Sequence, residues 1–169
     1  MGHAHDSTKR RPGLDETIAG DPAYAPPEQL YKFNPDSWKA RRFTSDLYHL
    51  GSLAVYLITG VNATSGIQHH LKPEHQCLNW SGEDYSDILL FLEDGTEAMI
   101  QETIDIVPDF YKERLSLLLH LLLDPVPEKR CHPSNRLGSG SLYGLERFVS
   151  GFDVLASRAE LRLKKSLQK

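Results

Sequence analysis

The sequence predicts an all-α domain packed around one buried central helix, and three observations predict it. Between residues 44 and 60, Leu47, Leu50, Leu53, Ala54, Leu57 and Ile58 recur at helical spacing, and Tyr48, Val55 and Tyr56 make the other faces apolar too. A helix that is greasy nearly all round is one that other elements surround. No stretch alternates apolar and polar residues with a period of two, so no strand is expected. Proline, glycine and Asx residues divide the remainder into helix-sized pieces.

Residues 1–19 are polar, carry Lys9-Arg10-Arg11-Pro12-Gly13, and hold too little apolar surface to order themselves, so a flexible segment is expected there. Pro22, Pro26 and Pro27 impose an extended chain, because each fixes its own φ and bars the preceding residue from the helical region. A short helix after Pro27 takes in Glu28, Gln29, Leu30 and Tyr31. Residues 32–42, with Pro35 and Trp38, read as a polar loop. Thr44 or Ser45 is the expected cap of the central helix, Asp46 falls in its first turn where the dipole favours an acid, and Gly60 ends it.

Residues 61–82 read as irregular, with Gly66, Pro73 and Gly82. Helices follow over residues 83–92 and 96–106, split at Asp94-Gly95. Pro108-Asp109 opens the next helix, whose stripe is Phe110, Leu115, Leu118, Leu119 and Leu122, and Asp124-Pro125 stops it. A further helix begins near Pro133-Ser134 and carries Leu137. Gly138-Ser139-Gly140-Ser141 breaks the chain, after which Leu142, Leu145 and Phe148 continue an apolar face. A basic helix over about 152–167 finishes it, and Leu155, Ala159, Leu163 and Leu167 are expected to dock it on the domain. The expected organisation is thus a flexible segment 1–19, a helical domain 20–150 and a basic helix 151–169.

With 169 residues, 40% of them hydrophobic and 25% charged, the chain has the make-up of a soluble globular domain. Its net charge of −4 argues against nucleic acid, which calls for a basic stripe. No apolar run approaches the roughly 20 residues of a membrane span; the longest, Leu115 to Leu123, is interrupted by His120. Met1 to Asp6 lacks the apolar core of a signal peptide. Cys77 and Cys131 are too few for a disulfide framework and read as reduced thiols of a cytoplasmic protein.

Several constellations are set aside. His69, His70, His75 and Glu74 could be written as a metal site, but adjacent histidines diverge and closed zinc sites bring four patterned ligands, so they read as solvated loop residues. Cys131-His132 lacks a second pair, and His49 reads as a core histidine. The glycines of residues 138–144 are spaced wrongly for a nucleotide fingerprint. Glu83, Asp84, Asp87, Glu93 and Asp94 form an acidic face that solvent or a basic peptide would meet. Arg158, Arg162, Lys164, Lys165 and Lys169 offer a basic one to an acidic partner or membrane surface.

Three motifs remain. Gly20-Asp21-Pro22-Ala23-Tyr24-Ala25-Pro26-Pro27-Glu28 is followed by Asp46-Leu47-Tyr48-His49-Leu50-Gly51, and then by Asp124-Pro125 with Arg130. In order and separation they resemble the eukaryotic-like Ser/Thr protein kinase family, over its C-terminal lobe from the end of the activation segment onward, covering roughly residues 12–150. The resemblance implies that Glu28 and Arg130 pair, a guanidinium forking onto a carboxylate in two parallel hydrogen bonds. It implies that Asp21, Pro22 and Tyr24 line a substrate-peptide groove, that Asp46 and Gly51 anchor the central helix, and that Leu53 and Leu57 underlie the adenine-supporting stack. Thr17, four residues before Asp21, falls where activation-loop phosphorylation is common, though a solvated threonine is the simpler reading. The departures are Asp21 for threonine, Pro26 for alanine, Tyr48 for tryptophan, and a turn before Arg130 two residues longer than the family's.

Kinase chemistry needs a lysine on the nucleotide phosphates, an aspartate at the substrate hydroxyl, and Asp and Asn on magnesium. The V-A-I-K, H-R-D and D-F-G motifs that supply them are absent from this sequence, and they ordinarily precede the Gly20 region. No catalytic residue, metal or cofactor is therefore expected, and ATP and magnesium enter only if a missing lobe is supplied. Asp46 would lack the catalytic loop it usually bonds, so it should find another partner or lie on an exposed face that also shows apolar residues. The expected function is a non-catalytic, pseudokinase-type or truncated lobe acting in protein binding, toward an N-lobe-like partner or a second copy. Two alternatives stand beside it: the peptide-binding lobe of a kinase whose ATP-binding lobe is a separate segment, and an unrelated helical interaction domain.

Overall fold

A computed structural model describes residues 21–33, 35, 37–137 and 141–168. Thr17, Gly20, the 1–19 segment and the Gly138–Gly140 break lie outside the described residues. Among the described residues seven α-helices follow one another: α1 (Pro27–Leu30), α2 (Trp38–Thr59), α3 (Ala63–His70), α4 (Tyr85–Asp105), α5 (Asp109–Leu123), α6 (Pro133–Arg136) and α7 (Glu146–Ser166). Short 3-10 turns cover Pro22–Tyr24, Pro73–His75 and Pro127–Lys129, and no strand occurs among the described residues.

The central helix starts earlier than its apolar pattern. Ser37, not Thr44 or Ser45, caps α2 by accepting from the Ala40 amide. The Thr44 and Ser45 hydroxyls instead bond back to the Arg41 carbonyl, the habit of these residues inside a helix. Residues 38–42 are therefore helix rather than loop, and Asp46 lies beyond the first turn. The C-terminal end falls at Gly60, which takes the left-handed conformation with φ 78°.

Leu47, Tyr48, Gly51, Ser52 and Val55 line the buried face of α2. α5 crosses them through Leu119, Leu122 and Leu123, all fully buried. Gly51 makes the crossing close: a Cβ there would stand 2.8 Å from both Leu122 Cβ and Leu123 Cδ2. α3 and α4 pack beside it through Ile67, Ile88, Leu92 and Ile100, and α7 sits on α5 through Phe148, Gly151 and Leu155.

Three further expectations are corrected. The 61–82 stretch contains α3, capped by the Asn62 side chain accepting from the Ser65 amide. α4 is one helix, not two: Gly95 is a packing notch, where a Cβ would meet the Leu71 side chain at 3.2 Å and the Ile67 carbonyl at 3.3 Å. α7 begins at Glu146, so the proposed 150/151 boundary falls inside one helix.

Candidate functional site

The proline-rich ribbon delivers Glu28 to the interior. Asp21 caps the Pro22–Tyr24 turn, its carboxylate accepting from the Ala23 amide at 2.9 Å. Pro26 stays extended, and Pro27 opens α1 with Glu28 in its first turn. Tyr31 then fixes the ribbon's far end: its hydroxyl donates to the His75 carbonyl at 2.6 Å and accepts from the Gln68 amide at 3.0 Å. Burial holds the Tyr31 phenol up at about 12, so it stays protonated as a donor.

Arg130 meets Glu28 in a fork. Its two terminal nitrogens donate to the two carboxylate oxygens at 2.8 and 2.7 Å, and both side chains are 0% exposed. The Nε donates to the Asp124 carbonyl at 2.6 Å, and longer contacts of 3.5 Å reach the Thr44 and Pro125 carbonyls. Five guanidinium donors thus face five oxygens, the full complement an arginine carries. The guanidinium also lies over the Tyr48 ring, 4.9 Å from its centroid. Burial opposes the charge on Arg130, but the Glu28 carboxylate outweighs it and raises the guanidinium above its ordinary value.

A second chain of bonds runs from α2 to the ribbon. The Thr64 hydroxyl donates to the Ala25 carbonyl at 2.9 Å, which leaves the Tyr48 hydroxyl to donate to Thr64 Oγ1 at 3.0 Å. Burial pushes the Tyr48 phenol far up, against the Thr64 bond and the Arg130 charge. Ribbon, α2, α3 and the Asp124–Arg130 turn are therefore locked at one point. Sequence reasoning missed Thr64 and Ser52, whose oxygen accepts from the Ala63 amide at 3.1 Å. The Asn62–Ser65 cap spacing was the signal that would have placed Thr64 in the first turn of a helix.

The opposite face of α2 is open. Asp46, His49, Leu53, Tyr56 and Leu57 follow one another at helical spacing and are all exposed, Leu57 by 75%. His49 is thus not a core histidine. It lies against the Tyr24 main chain, and the partial burial there holds its ring below the ordinary value, despite the favourable Asp46 carboxylate. Leu53 and Leu57 support no stack among the described residues. Tyr24 is about half exposed and joins the edge of this face; Asp21 and Pro22 are exposed beside it.

The structure separates the histidines of the set-aside metal cluster. His69 and His70 are on α3, not in a loop, and His70 lies 3.1 Å from Glu102 of α4. His75 packs its ring on Phe91 at 3.7 Å. No group of three metal-ligating side chains converges among the described residues. Nor is any single described helix long and apolar enough to cross a membrane. No family model, curated protein or solved structure matches the chain.

Proposed function

We propose that this chain is a protein-kinase-like C-terminal lobe that binds a protein partner and transfers no phosphate itself. The observation that carries the reading is the Glu28–Arg130 fork, fully buried and 102 residues apart in sequence, between the two motifs from which the family resemblance expects it. Gly51 at the α2–α5 crossing adds to it, since a Cβ at this motif position would run into Leu122 and Leu123 of α5. The sequence holds no phosphate-binding lysine, catalytic-loop aspartate or magnesium pair in kinase context. What remains is surface: Leu53, Tyr56 and Leu57 exposed on the side of α2 that an upper lobe would cover. Cys77 and Cys131, both free thiols, suit a cytoplasmic setting.

Incubation with labelled ATP, magnesium and generic Ser/Thr substrates should give no transfer; sustained turnover overturns the reading. A second reading, the peptide-binding lobe of a split kinase, is favoured by the exposure of Asp21, Pro22 and Tyr24 along one ribbon. One NMR titration separates the two. An added kinase N-terminal lobe shifting Leu53, Tyr56 and Leu57 supports the first, and a serine-containing basic peptide shifting Asp21 and Tyr24 supports the second.

A further inference from the structure

The second half of α7 stands away from the fold. Phe148, Gly151 and Leu155 hold the first half against α5. Beyond Leu155 the side chains are exposed except for the half-buried Ala159, and Arg162 lies on the Phe110 ring, 4.0 Å to its centroid. Ala159, Leu163 and Leu167 fall four residues apart, so they share one face, and Leu163 is 61% exposed. Arg158, Lys164 and Lys165 occupy the other sides. This is an amphipathic, basic helix end that leaves Leu163 and Leu167 exposed.

A fitting receptacle lies elsewhere on the same molecule. Between the C-terminal ends of α2 and α4 and the face of α3 runs a half-open groove of about 590 Å³. Val55, Ile58, Met99 and Ile106 form its apolar walls, and Glu102 stands with Asn62, Ser65, His69 and Thr103 on its polar side. Val61 and Ile106 leave its edges apolar and exposed. Every charged residue of α4 is acidic: Asp87, Glu93, Asp94, Glu97, Glu102 and Asp105. Aliphatic walls beside an acidic helix are the complement of an aliphatic row flanked by lysines.

We infer that the exposed half of α7 docks in the α2–α3–α4 groove of a second copy of this chain. Leu163 and Leu167 enter the groove, and Lys164 and Lys165 face Glu102 and Asp105. Donor and acceptor patches differ, so the contact either closes reciprocally in a two-fold pair or runs head to tail in a series. It does not depend on the kinase-like reading, because neither patch includes the fork or the open face of α2.

Sedimentation of the whole chain over a concentration series tests it. Association should appear with rising concentration and weaken as salt screens the charges beyond about 10 Å at 0.1 M. Lys164→Glu with Lys165→Glu should weaken it by roughly tenfold or more, as should Glu102→Lys. Mixing these two charge-reversed proteins should restore association between them. Because Glu102 also meets His70, Asp105→Lys serves as a second variant of the acidic side, and Leu163→Asp as one of the apolar row. A chain that stays monomeric at millimolar concentration overturns the inference. So does association that the charge reversals leave intact but Leu57→Asp abolishes, or a monomer that instead floats with anionic vesicles.

Discussion

At Arg130 one guanidinium ties the ribbon to α2 and to the Asp124–Arg130 turn. Arg130→Ala leaves a Glu28 carboxylate buried without its partner and empties three carbonyl contacts, at Asp124, Thr44 and Pro125. The expected loss is about 3–5 kcal/mol, the range for breaking a buried ion pair from one side. Urea unfolding should show it as a lower midpoint at unchanged slope. Replacing both partners with apolar residues (Glu28→Leu with Arg130→Met) should recover much of that loss, because no charge is then stranded. The histidines give a pH signature. Burial lowers His49, and burial with the Arg147 and Arg114 charges lowers His132, both from 6.5. The unfolded chain therefore takes up these protons at a higher pH than the fold does. Their contribution is complete above 6.5 and declines as pH falls through that value. His49→Gln with His132→Gln should flatten the stability profile over the acid side of that range; an unaltered slope would place the effect elsewhere.

Helices α2 and α5 test the geometry of packing. Gly51→Ala must push Leu122 and Leu123 away from a Cβ that would sit 2.8 Å from each, and should cost about 1–3 kcal/mol. Thermal unfolding of the alanine variant checks this, and a midpoint equal to the parent's would mean the crossing is looser than described. The ends of α5 were legible in the sequence because Pro108-Asp109 and Asp124-Pro125 are local signals that act where they stand. The start of α2 was not, because Thr44 and Ser45 carry cap-type hydroxyls that return to the Arg41 carbonyl instead. α3 escaped notice since its buried residues are only Ala63, Thr64 and Ile67 among glycine and histidines. Gly95 was mistaken for a break because a glycine that ends a helix and one that admits a neighbour look alike in one dimension. The fork was readable from motif order, whereas its Asp124, Pro125 and Thr44 carbonyl partners were not, since a backbone oxygen leaves no mark in sequence.

Over the whole molecule, α2 divides a dry side from a wet one. Leu57→Ser should alter stability by no more than about 0.5 kcal/mol, whereas Leu47→Ala, from the fully buried side, should cost about 2–5 kcal/mol. Paired denaturant curves decide the matter, and a large loss at Leu57 would mean that this side is covered in solution. The sequence pattern missed the division because Leu53, Tyr56 and Leu57 are as apolar as the residues behind them. Hydropathy registers apolar side chains, not which of them the fold covers. The fork has one more consequence, and it concerns biosynthesis. Glu28 leaves the ribosome 102 residues ahead of the arginine that neutralises it. At about 5–20 residues per second the wait is roughly 5–20 s. Until then the ribbon has its Thr64, Gln68 and His75 partners but no cation for Glu28, so burial of that carboxylate waits for residue 130.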